Sequence, residues 1–237
     1  MLPGPDGEPR SSARGFVRIA VFCFCLLFAV GTSAQEQGIA GMGNRSRLTT
    51  FDAPDAGTAS GQGTLAASIN GAGDITGDYR DASDVYHGFV RNKKGRITTF
   101  DAGTGSGEGT IGESINGAGD ITGAYVDASD VVHGFVRNKK GRITTFDAPG
   151  AGTASDQGTI GESINGAGDI TGDYRDASNV YHGFVRNKKG SITTFDAPDA
   201  GTGSDQGTFG TSINGAGDIT GGYEDASGVG HGFVRTP

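Results

Sequence analysis

SINGAGDITG stands at residues 68–77, and the same ten residues return unchanged at 114–123, 163–172 and 212–221. A second phrase, HGFVR, follows each copy, beginning at His87, His133, His182 and His231. The histidines are 46, 49 and 49 residues apart. A period of about 40–50 residues marks a chain built from one supersecondary unit used repeatedly, as in propellers, solenoids and arrays. The repeat therefore decides the architecture, although it names no chemistry.

Working outward from that phrase, each repeat divides into four short segments rich in Val, Ile, Thr, Tyr and Phe. In the first copy they are residues 64–70, 74–81, 85–91 and 96–101. Their lengths and β-branched content predict strands, and none has a helical period. The connectors predict hairpins. Asn70-Gly71-Ala72-Gly73 tolerates positive φ, Asp81-Ala82-Ser83-Asp84 supplies side chains that bond nearby backbone, and Asn92-Lys93-Lys94-Gly95 fits a bulged turn. Three hairpins in succession make a four-stranded antiparallel meander. A longer linker, residues 53–63 or 102–109, then carries the chain to the next meander. Ile69, Ile75, Phe89, Val90 and Phe100, with their equivalents, are the expected core.

The phase of the repeats predicts how the array ends. Residues 47–52 (RLTTFD) form a lone fourth segment, and residues 231–235 form a third segment with no fourth after it. Pairing the first with the last gives sixteen strands. The fold expected is an all-β, four-bladed β-propeller of four-stranded antiparallel sheets, closed by the N-terminal strand joining the last blade, over residues 47–237. Closure hides an edge strand. The rivals are a solenoid, which needs capping repeats that the sequence lacks, and an open half-ring that pairs with a second copy.

Residues 1–34 read as a secretory signal peptide: Arg10, Arg14 and Arg18, the apolar run IAVFCFCLLFAV at 19–30, then Thr32-Ser33-Ala34. Twelve residues at about 1.5 Å each span about 18 Å, short of a ~30 Å hydrocarbon core, so a membrane span is not expected. Residues 35–46 read as a linker. Both cysteines, Cys23 and Cys25, leave with the leader, and with them any disulfide, thiolate nucleophile or cysteine-bound metal. Three basic and two acidic residues leave too, so the formal charge of −8 becomes −9. That balance disfavours nucleic acid and anionic membrane surfaces as partners.

The pairing of S-I-N-x-x-G-D-I-T-G with H-G-F-V, in tandem behind a leader, resembles the bacterial extracellular HAF-family repeats. Ile69-Asn70, Gly73 and Gly77 match the family's Ile-Asn-x-x-Gly-x-x-x-Gly strand pair. His87-Gly88-Phe89 matches its His-Ala-Phe, with Gly in place of Ala. The likeness covers about residues 47–235. It implies export and a propeller-like β fold; it implies no reaction and carries over no catalytic residues.

Candidate sites are few. Four equivalent histidines suggest a metal, but each falls on a third strand, about 9–10 Å further from the axis than the first, and is expected to bond its own neighbours. Gly71–Gly77 is spaced wrongly for a dinucleotide loop and leads into a strand. No catalytic or metal residues and no cofactor are assigned, with structural calcium left open at loop acids Asp52, Asp55, Asp196 and Asp199. There is no G-x-S-x-G or H-E-x-x-H. The copies differ most around the turn between their second and third strands. There Tyr86, Tyr181, Arg80 and Arg175 suit a planar or sugar-like ligand and are the candidate binding residues. The sequence thus reads as a secreted or periplasmic, monomeric, non-catalytic repeat module that binds a saccharide or cell-surface partner. The alternatives are a hydrolase or lyase with a site in an axial channel, and a structural repeat without a ligand.

Overall fold

The structure, a computed structural model, describes residues 48–103 and 109–237. The expected leader (1–34) and linker (35–46) lie outside the described residues. The chain divides into two units, Met1–Phe51 and Asp52–Pro237, and every strand of the described residues lies in the second.

The first repeat holds β1 (Gly63–Ile69), β2 (Ile75–Arg80), β3 (Tyr86–Arg91) and β4 (Ile97–Phe100). The second holds β5 (Gly109–Ile115), β6 (Ile121–Val126), β7 (Val132–Arg137) and β8 (Ile143–Phe146). The third holds β9 (Gly158–Ile164), β10 (Ile170–Arg175), β11 (Tyr181–Arg186) and β12 (Ile192–Phe195). The fourth holds β13 (Gly207–Ile213), β14 (Ile219–Glu224) and β15 (Gly230–Arg235).

Each repeat is an antiparallel meander, and one turn design builds all its hairpins. The Asn70 side-chain oxygen accepts the N–H groups of Ala72 and Asp74 at 3.0 Å, and Gly73 takes φ +83°. Asp81 does the same for Ser83 and Val85 at 2.8 Å, with Asp84 at φ +66°. Asn92 repeats it for Lys94 and Arg96. A side chain that mimics the backbone closes the loop, and a left-handed fourth residue returns the chain in register. In every repeat a bulge interrupts the first strand one residue before its invariant serine, as between Ala66 and Ser68.

The expected propeller is not formed. The strands make a four-stranded sheet, β1-β2-β3-β4, and an eleven-stranded sheet. The latter joins the last three meanders through single parallel bridges, Val132 to Gly158 and Tyr181 to Gly207. Residues 48–52 carry no strand, so fifteen strands, not sixteen, occupy the described residues. β15 pairs only with β14, and the sheets do not close.

What holds the repeats is stacking of one on the next. Phe100, Ile115, Ile121 and Phe135 form a cluster across the first junction, with Val90 packed on it. Ile164, Ile170, Phe184 and Ala148 repeat it at the second, with Val136. A ladder of asparagines runs beside these clusters: Asn70 donates from its amide to Asn116 O, Asn116 to Asn165 O and Asn165 to Asn214 O, at 3.0–3.1 Å. Each junction also brings a glycine onto a threonine. A methyl on Gly112 would stand 2.8 Å from Thr76 Oγ1, and one on Gly210 the same distance from Thr171 Oγ1. The first repeat has Ala66 at that position, so its front is not shaped like the other fronts. Ala66 is exposed where Gly112, Gly161 and Gly210 are buried against the preceding repeat, so the first front meets no other repeat and the array stays open.

Candidate functional site

The four expected rim residues come together in two pairs. Arg80 on β2 stands opposite Tyr86 on β3, with its guanidinium carbon 5.5 Å from the ring centre. Arg175 and Tyr181 repeat the arrangement at 5.6 Å. All four are half-buried. The second repeat has Val126 opposite Val132 and the fourth Glu224 opposite Gly230, so the pairs occur only in repeats one and three. Both arginines also tie down linkers. Arg80 donates to Gly61 O and Asp84 O, and Arg175 donates to Asp156 O and pairs with Asp205. Tyr181 rests its ring on Phe209, centre to centre 4.7 Å.

The histidines do not converge. His87 stacks on Tyr79 at 5.0 Å, with Nδ1 2.8 Å from Asp101 Oδ1 and Nε2 3.5 Å from Asp81 Oδ2. His133 and His182 are held identically by Asp127 and Asp147, and by Asp176 and Asp196. Each of these three rings fastens its own second-to-third turn to the aspartate that follows its own fourth strand, whereas His231 reaches Asp225 of its turn at 3.2 Å. Burial works against the charged form of Asp81, but the Val85 and Ser83 N–H groups and His87 outweigh it and hold the carboxyl below its usual range. Among the described residues no group of three or more His, Asp or Glu side chains is arranged to hold a metal ion. Of the loop acids considered for calcium, Asp196 is spent on His182.

A site that the sequence reading missed lies on the first and second strands. Asp78 on β2, Glu113 on β5, Glu162 on β9 and Asp173 on β10 form a row of carboxyls that sense one another. Burial, and then Glu113, raises Asp78 to about 7. Burial raises Asp173 to about 7. Glu162 is raised by burial, then by Asp173 and Glu113. A signal was present: where the neighbouring serine never changes, this column reads Ala67, Glu113, Glu162, Thr211. It breaks the repeat symmetry in a way that scaffold residues do not.

No family model and no curated protein matches the chain. Among the described residues no helix is long and apolar enough to cross a membrane.

Proposed function

We propose that this chain is a non-catalytic binding module that presents its Arg–Tyr rim to a neutral, hydroxyl-rich partner of the saccharide class. The observation that carries this reading is the identical pairing of Arg80 with Tyr86 and of Arg175 with Tyr181. An aromatic ring held half-exposed by a fixed cation offers a flat apolar face beside hydrogen-bond donors, the combination that sugars need. Two such platforms in alternate repeats suit a polymeric ligand, whose second contact costs less than its first. The HAF-like motif and the leader-like N-terminus support an extracellular setting.

Binding of a panel of soluble polysaccharides, followed by calorimetry, tests the reading. Tyr86→Ala and Tyr181→Ala are each expected to weaken binding about tenfold, and the double variant to abolish it. Binding that survives the double variant, or no binding to any polysaccharide, contradicts it.

The carboxyl row favours a second reading, a hydrolase or lyase. A carboxyl raised to about 7 by burial holds a proton at neutral pH and is fit to act as a general acid. The two readings separate cleanly: turnover of a polysaccharide lost in Asp173→Asn but kept in Tyr181→Ala belongs to the enzyme.

A further inference from the structure

The large apolar side chains that stand exposed in the second unit are confined to the two ends of the array. Leu65 and Ile69 lie at its front, and Val229 and Val234 at its back. The internal junctions show what each end lacks. Val90 packs on the cluster that contains Ile115, and Val136 on the one that contains Ile164, so a back-face valine meets a front-face isoleucine at each. Ile115, Ile164 and Ile213 are 6–7% exposed, whereas Ile69 is 66% exposed and Val234 73%.

The polar groups tell the same story. Asn116 O accepts both the Gly119 N–H and the Asn70 amide, but among the described residues Asn70 O receives only the Gly73 N–H. At the other end Asn214, with no further asparagine to reach, turns its amide onto Asp218 of its own turn. Ser68, Ser114 and Ser163 each accept the N–H of an isoleucine in the next repeat, at 3.3–3.4 Å; Ser212 has no next repeat.

The fourth-strand position is empty as well. Ile143 on β8 packs among Phe100, Ala102 and Phe135, and Ile192 on β12 among Phe146, Ala148 and Phe184. The corresponding Phe195, Ala197 and Phe233 instead line an open cavity of about 260 Å³ beside β15.

We infer that the back of one chain takes the front of a second copy, head to tail, with Val234 on Ile69, Thr220 on Ala66, the Asn214 amide on Asn70 O and the Ile69 N–H on Ser212. The occupant is a copy of this chain because the interface continues one that the chain already makes three times within itself. The contact is heterologous, joining different faces of the two copies, so it closes a ring or continues as a chain of copies.

The experiment is sedimentation of the protein as recovered from its expressing cells, across a hundredfold range of concentration. The mass is expected to rise above that of one chain. Ile69→Asp and Val234→Asp change exposed side chains, so each is expected to keep the wild-type circular dichroism and to sediment as a single chain. Mixing the two variants restores a dimer, since one keeps its back and the other its front. Ala66→Gly is expected to shift association to about tenfold lower concentration. A wild-type chain that stays single throughout, or variants that associate as wild type does, overturns the inference. So does a mixture that stays single.

Discussion

Ile115 and Ile69 occupy the same place in successive repeats and sit in the same SIN phrase, yet one is 6% exposed and the other 66%. Thr122 and Thr220 differ in the same way: both donate to a phenylalanine carbonyl at 2.9 Å, but Thr122 is fully buried and Thr220 is exposed. The local structure around each pair is the same. In this molecule a repeat's turns and strands are its own property, while its core belongs to the junction with a neighbour. Interior junctions and open ends therefore form an experiment with the sequence held constant.

The largest contrast is expected at the phenylalanine of HGFVR. Phe135 is fully buried between repeats, and Phe135→Ala is expected to cost about 3–5 kcal/mol in chemical denaturation. Phe233, half-buried at the open end, is expected to cost roughly half as much under dilute, single-chain conditions. Equal costs would mean that the end is covered after all.

Acidity sharpens the comparison next, because the carboxyl row exists only where repeats one to three stack. Asp78 and Asp173 ordinarily titrate near 3.8 and are raised to about 7 in the fold. Between those values the folded chain holds protons that the unfolded chain has lost, so stability falls as pH rises from about 4 to about 7. Asp81, Asp127, Asp176 and Asp225 are lowered and act oppositely, losing their contribution only as pH falls below about 4. The thermal midpoint is thus expected to be higher at pH 5 than at pH 8. Asp173→Asn is expected to stabilise the chain more at pH 8 than at pH 5. The opposite slope would show that the row is solvated.

The smallest effect concerns one hydrogen bond. Thr122→Val is expected to cost about 1 kcal/mol, and Thr220→Val under about 0.5, measured by equilibrium unfolding. A large cost at Thr220 would again reveal a hidden partner.

The same division explains what could be read from the sequence. The hairpins were legible because Asn70, Asp81 and Asn92 act on backbone within four residues of themselves. The burial of Phe89, Phe135 and Phe184 was legible from the strand pattern, but that of Phe233, in the same phrase, was not: it is half-buried. The exposure of Ile69 was not, since the phrase around it is identical to that around the buried copies. The closed ring followed from counting strands, and a count does not say whether the two ends meet. Arg80 and Arg175 were grouped with their tyrosines because all four flank the turn between the second and third strands. The acid row escaped because it is assembled from different strands of three repeats, Asp78 on β2, Glu113 on β5, and Glu162 and Asp173 on β9 and β10.

The central claim is that the first and last faces belong to an open array and meet only across copies. A chain with Cys23 and Cys25 changed to serine, and with Ile69→Cys and Val234→Cys together, tests it most directly. Oxidised in dilute solution and run denatured without reductant, it is expected to give chains linked to one another, in amounts that fall with dilution. A single chain cyclised through the two cysteines, in an amount independent of concentration, would contradict the account.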